Sequence, residues 1–317
     1  MSVRDLPSPY AGGGPAPGAG CRDAATSAVC GATVRAECVG AVLPLRVHGR
    51  VPGDGTCVCR LRGTVRRITG MTLRLVQIAM NAQDDSALGR FWAEALGWGS
   101  SVEVPGVVTN LEPEGLAYPD PAVVYIDVIT VPEPKTVKNR VHLDLATTSP
   151  AHHAELVARL QDLGATPADV GQGDVPWTVL ADPDGNEFCV AEPREDYRDT
   201  GPIAAIVADC MDPRAMARFW DQAMDWTLHE VTDDHAVLRS GQGVGPYLRL
   251  VRTPDVKTVK NRVHLDLRPY PGGDRAVEVA RVRALGAADI DLGQGDDVPW
   301  TCLVDPEGNE FDILAPA

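Results

Sequence analysis

The chain has 317 residues, which is enough for two domains of ordinary size. Hydrophobic residues make up 44% and charged residues 23%, a composition that is typical of a water-soluble globular protein. No apolar run approaches the roughly 18 residues of a membrane span. The formal net charge of −15 would repel nucleic-acid phosphates and anionic lipids, so neither nucleic acid nor a membrane is an expected partner.

Residues 1–70 differ from the rest in composition. They are rich in Gly, Ala, Pro and Arg without sustained periodicity, which predicts disorder or an extension ahead of a natural start at Met71. The first twenty residues lack the apolar segment of a secretory signal, so the cytoplasm is the expected location. Cys57 and Cys59 lack the spacing of a zinc site, and no second pair follows them.

The remainder of the chain is an internal repeat. Three segments recur in the same order: a Phe-Trp segment at 86–99 and 214–226, KTVKNRVHLDL at 135–145 and 257–267, and the GNEF ending of 171–188 and 293–311. Such agreement in order and spacing indicates duplication. The predicted domains are therefore 71–197 and 198–317.

Each copy has the same predicted elements. In the first copy an apolar strand covers 73–82, and a helix follows the cap at Asp84. Further strands are expected at about 101–109, 122–130 and 140–146. Ser149 and Pro150 open a second helix through Leu163, and two last strands flank the turn at 182–185. The order is strand, helix and three strands, twice per copy.

These segments resemble the vicinal oxygen chelate superfamily, in particular its glyoxalase-like branch. The resemblance rests on the Phe-Trp helix ending in Leu-Gly-Trp, the KTVKNRVHLDL segment and the Asp-Pro-(Asp/Glu)-Gly-Asn-Glu-Phe ending. It implies an α+β fold of two tandem glyoxalase/bleomycin-resistance-like domains, each built of paired βαβββ modules around a cleft. It is specific for a fold and far less so for an activity, because the superfamily spans several activities.

The resemblance also implies a divalent metal, which would be Zn, Ni, Fe or Mn, and no other cofactor. Carried over by position, the ligands of the first copy are Gln77, Asp127, His142 and Cys189. A cysteine where the family usually has glutamate makes the set unusual, since thiolate and imidazole suit Zn²⁺ and oxygen ligands suit harder ions. Two plainer readings stay open: His142 as part of a polar network, and Cys189 as a small buried hydrophobe.

Strand alternation predicts which neighbours share the cleft face. His142 and Asp144 alternate with leucines, and Glu187 and Cys189 alternate with Phe188 and Val190. Glu187 or Asp144 is therefore a candidate for proton transfer. The cations Lys135, Lys138 and Arg140 would either recognise an anion or belong to a connection fixed by its own hydrogen bonds.

The second copy has fewer candidate ligands. Ala205 stands in the place of Gln77, and the strand at 247–250 has no acid. His264 and Asp312 remain, and they are predicted to bind substrate or to act as an acid–base pair. Trp177 and Trp300 are predicted either to line the cleft or to pack in the core.

Two functions follow from the sequence. The first is an enzyme, a lyase or isomerase that uses a metal in the first domain to act on a small oxygenated molecule. The alternative is a protein that binds and sequesters a small molecule or antibiotic without metal. Both need a small-molecule partner, and either a monomer with an internal pseudo-dimer or a homodimer would provide the cleft.

Overall fold

The computed structural model describes residues 73–293 and 298–316. The predictions of disorder for residues 1–70 and of a start at Met71 fall outside these ranges. Among the described residues, no helix has both the length and the apolar character needed to cross a bilayer.

The first copy contains two βαβββ modules. Module 1 consists of β1 (Leu73–Ala82), α1 (Asp85–Leu96), β2 (Gly99–Val104), β3 (Val108–Glu112) and β4 (Tyr125–Thr130). Module 2 consists of β5 (Val141–Leu145), α2 (Pro150–Asp162), β6 (Thr166–Pro167), β7 (Thr178–Ala181) and β8 (Glu187–Val190). The predicted strand at 101–109 is a hairpin instead, because Gly106 turns the chain at a φ of 71°.

The second copy repeats this order. Module 3 consists of β9 (Ile203–Cys210), α3 (Pro213–Ala223), β10 (Trp226–Val231), β11 (His235–Ser240) and β12 (Tyr247–Arg252). Module 4 consists of β13 (Val263–Pro269), α4 (Arg275–Ala284), β14 (Ala288–Asp289), β15 (Trp300–Val304) and β16 (Glu310–Leu314).

The sixteen strands form two eight-stranded sheets within the described ranges. In the first sheet β1 of module 1 pairs antiparallel with β13 of module 4. In the second sheet β5 of module 2 pairs antiparallel with β9 of module 3. The predicted α+β fold of paired βαβββ modules is confirmed, and each hydrogen-bonded pair takes one module from each copy.

The hydrophobic core follows a different division from the sheets. Trp92 of α1 packs edge to face on Phe188 of β8, with ring centroids 5.0 Å apart, although the strands of modules 1 and 2 lie in different sheets. Trp220 of α3 and Phe311 of β16 repeat this contact at 5.3 Å. Each copy therefore shares apolar contacts between its own modules, while each sheet joins modules of different copies.

Helix α1 packs closely on β3 because it carries a glycine. A Cβ built on Gly89 would lie 2.6 Å from Cγ2 of Thr109. The second copy has Ala217 and Ala236 at the corresponding positions. Gly89→Ala is therefore expected to destabilise the fold by about 1–3 kcal/mol through overpacking, against the usual benefit of alanine in a helix.

Urea denaturation of Gly89→Ala, of Thr109→Ala and of the double variant Gly89→Ala/Thr109→Ala provides the measurement. The double variant recreates the alanine pair of the second copy. Its loss of unfolding free energy should be smaller than the sum of the losses in the two single variants. Additive effects would contradict the proposed contact.

Candidate functional site

Cross-strand pairing defines two equivalent sites, because directly paired residues point to the same face of a sheet. Site A lies between modules 1 and 4. Two rows of residues, each paired across neighbouring strands, lie on this face. The first row is Tyr125, Gln77, Asp266, Asp312 and Cys302. The second row, two residues along the strands, is Asn110, Asp127, Ala79 and His264. Site B lies between modules 2 and 3. Its rows are Tyr247, Ala205, Asp144, Cys189 and Val179, then Val237, Arg249, Val207 and His142.

Three buried side chains converge in site A. His264 Nε2 lies 3.5 Å from Asp266 Oδ1 and 3.6 Å from Asp312 Oδ2. One potential ligand atom from each of the three residues lies within 4.8 Å of the others. All three side chains are buried. The strands β13 and β16 hold them, since Asp266 pairs directly with Asp312.

Gln77 extends this cluster into module 1. Its Nε2 donates to Asp127 Oδ2 at 2.6 Å and to Asp266 Oδ2 at 3.0 Å. Its Oε1 accepts from the hydroxyl of Tyr118 at 2.7 Å. Asn110 donates to the other oxygen of Asp127 at 2.9 Å. Site A is therefore one connected network that joins both copies of the repeat.

Burial governs the protonation of this network. It raises the pKa of Asp127 to about 6, although hydrogen bonds from Asn110 and Gln77 oppose the shift. Burial also raises the pKa of Asp266 well above its usual range, and the charges of Asp312 and Asp127 add to this while His264 opposes it. Burial lowers the pKa of His264, but the carboxylates of Asp312 and Asp266 outweigh it and the net shift is upward. Crowded carboxylates of this kind favour a nearby cation.

The residues of site A fit a divalent metal ion. Among the described residues, Oδ1 of Asp266 is buried without a hydrogen-bond partner. Buried polar atoms are normally satisfied, so such an orphan indicates a missing partner. Imidazole with several carboxylates is a donor set suited to Zn²⁺, Mn²⁺, Fe²⁺ or Ni²⁺. The unusual cysteine of the predicted set does not belong to this site.

Site B retains the histidine and one carboxylate. His142 Nε2 lies 3.6 Å from Asp144 Oδ1, and Cys189 completes a group of three within 4.8 Å. Burial lowers the pKa of His142 and raises those of Asp144 and the Cys189 thiol. The cation Arg249 stands where site A has Asp127, and its Nη1 donates to Tyr197 at 3.2 Å. Site B is therefore far less suited to a metal ion than site A.

The predicted four-ligand set is divided between these sites, which corrects the expectation of one centre in the first copy. Gln77 and Asp127 lie in site A, whereas His142 and Cys189 lie in site B. The reason is that β1 pairs with β13 rather than with β5. The assignment of His264 and Asp312 to a metal-free second copy changes accordingly, because both adjoin Gln77 and Asp127.

Glu187 has a structural partner that the sequence did not identify. Its carboxylate accepts from Lys135 Nζ at 2.6 Å and from the backbone N–H of Asn139 at 3.1 Å. Glu310 and Lys257 repeat this arrangement in the second copy, at 2.7 Å. Of the two readings of Lys135, the connection fixed by its own hydrogen bonds matches the structure. Asp144 remains beside His142, but in site B.

The two tryptophans differ in position. Trp177 is 37% exposed and donates to Gln172 Oε1 at 3.0 Å. Trp300 lies two residues before Cys302 on β15, so the two share a strand face at the margin of site A. Trp300 is thus the better placed of the two to border that site.

Sequence reasoning missed Asp266, Tyr118 and Arg249. Asp266 could have been predicted from the sequence, because strand alternation places its counterpart in the repeat, Asp144, on the cleft face. Tyr118 lies in the loop between β3 and β4, where periodicity carries no information. At the position of Arg249, which corresponds to Asp127, sequence analysis noted only that the second copy has no acid.

A model of the glyoxalase-like domain matches residues 77–191 and 205–314. Among curated protein sequences no significant match is found. Crystal structures of glyoxalase I from Zea mays are similar in fold. A single-substitution variant has 17% identity and a TM-score of 0.54, covering 77% of this chain and 93% of that one. The unsubstituted enzyme has 16% identity and a TM-score of 0.52, with the same coverage. The match to the domain model over most of both copies shows that the chain belongs to the glyoxalase-like domain family.

Proposed function

We propose that this protein is a metal-dependent enzyme of the glyoxalase type, a lyase or isomerase that acts on a small oxygenated molecule at site A. The observation that carries the proposal is the buried convergence of His264, Asp266 and Asp312 within 4.8 Å. We assign the metal to these three side chains, with Gln77 and Asp127 facing the same space from module 1. The bound metal would supply Lewis-acid stabilisation of negative charge on a substrate oxygen.

The protein side chains supply orientation and proton transfer. Asp127 lies outside the three-residue cluster, yet its Oδ2 is separated from Asp266 Oδ2 only by the amide nitrogen of Gln77. We assign Asp127 Oδ2 as the atom that accepts and returns a proton, in place of Glu187, whose carboxylate is engaged by Lys135. Asn110 fixes the other oxygen of Asp127 and so orients it.

Metal-free ligand binding is the second candidate, and site B favours it. Arg249 replaces the acid, Ala205 replaces the glutamine and Cys189 replaces Asp312. These changes remove three oxygen ligands and leave His142 with the single carboxylate of Asp144. One chain supplies all four modules, which supports a monomer whose two sites arise internally.

Metal analysis of protein purified without chelator tests the proposal. We expect about one equivalent of divalent metal per chain, since of the two clusters in the described residues site A has two carboxylates beside its histidine and site B has one. Chelation should abolish turnover of small 2-oxo or 2-hydroxy carbonyl compounds, and Zn²⁺, Mn²⁺, Ni²⁺ or Fe²⁺ should restore it. Less than about a tenth of an equivalent, with no activity after metal addition, would favour metal-free binding instead.

A further inference from the structure

Two arginines lie directly opposite each other beside site A. Arg74 on β1 pairs with Arg268 on β13 in the antiparallel ladder. Arg268 follows Asp266 by two residues on the same strand, so both side chains lie on the same face, about 7 Å apart along the strand. A register shift between Leu75 and Gln77 brings Arg74 onto that face as well. The arginine row therefore adjoins the row that contains Gln77 and Asp266.

Neither guanidinium has an acceptor among the described residues. The Nε atoms of Arg74 and Arg268 are both buried without a hydrogen-bond partner. Arg74 lies 5.0 Å over the ring of Tyr270, and Arg268 lies 5.0 Å over the ring of Tyr118. Like charges directly across a ladder repel, and an unpaired buried donor costs free energy. The structure thus contains two half-buried cations with unused donors.

The carboxylates near Arg74 and Arg268 do not pair with the two guanidinium groups. The charges of Asp127 and Asp266 act on the same Tyr118 hydroxyl as Arg268 does, and Asp225 lies near Arg74. In the described part of the chain, however, no ion pair within 4.0 Å involves either arginine. Asp225 is bonded to the hydroxyl of Tyr270 instead. Both side chains are only partly buried, so an acceptor from outside the protein would approach them at the Nη groups rather than at the buried Nε atoms.

The repeat shows that the fold does not require this arginine pair. In site B the corresponding ladder positions are Pro202 and Ala146, which are joined by a backbone hydrogen bond of 2.8 Å. Arg74 and Arg268 occur only beside the site whose carboxylates fit a metal. Their placement therefore belongs to the chemistry of site A.

We propose that Arg74 and Arg268 together bind an oxyanion of the substrate, so that site A takes a small organic acid. The fork of a guanidinium matches the two oxygens of a carboxylate or a phosphate. Tyr118 connects the arginine pair to the carboxylate network of site A. Its ring stacks against the guanidinium of Arg268, and its hydroxyl donates to Gln77. The substrate then has its anionic group at the arginines and its vicinal oxygens toward His264. This assignment rests on the proposed function of site A, but its own evidence is the unpaired arginines.

Calorimetric titration of the Zn²⁺-treated full chain tests this inference with three probes. Lactate carries the carboxylate, lactamide is its uncharged counterpart, and inorganic phosphate represents the other oxyanion. Arg268→Gln and Arg74→Gln should each weaken binding of the preferred anion about tenfold or more. The exposed Arg218→Gln on α3 is the matched control and should bind like the unsubstituted protein. Bound zinc is measured on each sample.

The outcomes separate the two proposals. Arginine-dependent binding of lactate over lactamide supports a carboxylate substrate, and arginine-dependent binding of phosphate supports a phosphate ester. Either result without bound zinc would support the oxyanion site while removing the proposed metal function. Equal binding of lactate and lactamide with no phosphate binding, or unchanged affinity in the double variant Arg74→Gln/Arg268→Gln, would overturn the inference.

Discussion

Replacement of His264 by alanine is expected to weaken zinc binding by more than about 100-fold, whereas His142→Ala should leave it unchanged. Loss of groups that merely orient metal ligands commonly costs about 10–100-fold, so loss of a ligand should exceed that range. The two histidines occupy the same place in the repeated KTVKNRVHLDL segment, which makes them a matched pair. They differ in their surroundings, since His264 adjoins Asp312 and His142 adjoins Cys189.

Competition with a fluorescent zinc chelator gives both affinities on the same scale. Circular dichroism of each variant checks that the strands remain folded. Loss of zinc in His142→Ala with retention in His264→Ala would place the metal in site B and contradict the assignment. Equal losses in both would indicate that neither site alone holds the ion.

Replacement of Arg262 by alanine is expected to destabilise the fold by about 3–5 kcal/mol, as when one partner of a buried ion pair is removed. Arg262 is buried just before β13 and joins module 4 to the first copy. Its guanidinium donates to Asp184, to the backbone carbonyls of Asn81 and Glu133, and to Asn186 Oδ1 at 3.1 Å. Alanine would remove the cation that pairs with Asp184 and the donor to the Asn81 carbonyl, while Asn186 Oδ1 would keep only the hydrogen bond from Asn139 Nδ2.

Urea denaturation, monitored by tryptophan fluorescence, measures this loss of unfolding free energy. Arg198→Ala is the control, because the ion pair of Arg198 with Glu195 is exposed and should contribute less than about 1 kcal/mol. Arg140 in the first copy has the equivalent role toward the second copy, since it donates to the carbonyls of Asp209 and Asp255. A loss below about 1 kcal/mol for Arg262→Ala would mean that this contact between the copies is dispensable.

Local sequence signals predicted the elements well because each has a local cause. Asp84 accepts from the N–H of Ala87 and Ser149 from that of His152, as the predicted helix caps require. The alternation in the first HLDL segment correctly placed His142 beside Asp144, and the structure has the same arrangement for His264 and Asp266 in the second copy. The hairpin at Gly106 was missed because a turn of three residues interrupts an otherwise continuous strand pattern.

The partner of each module could not be predicted in the same way. All four modules begin with an apolar strand of similar character, so β1 is chemically able to pair with β5 or with β13. The duplication itself suggested pairing within a copy, and the core contact of Trp92 with Phe188 is of that kind. The hydrogen bonds of β1, however, are made to β13 of the second copy. That choice moves His264 and Asp312 next to Gln77 and resolves why Cys189 had seemed a poor ligand.

The proposed metal centre is a single one, which lies between module 1 and module 4 and is shared by both copies. Anomalous diffraction at the zinc edge from crystals grown with Zn²⁺ tests it most directly. We expect an anomalous peak among Asp266, Asp312 and His264 Nε2, with no peak beside Cys189. A peak between His142 and Cys189, or none in site A at saturating zinc, would contradict it.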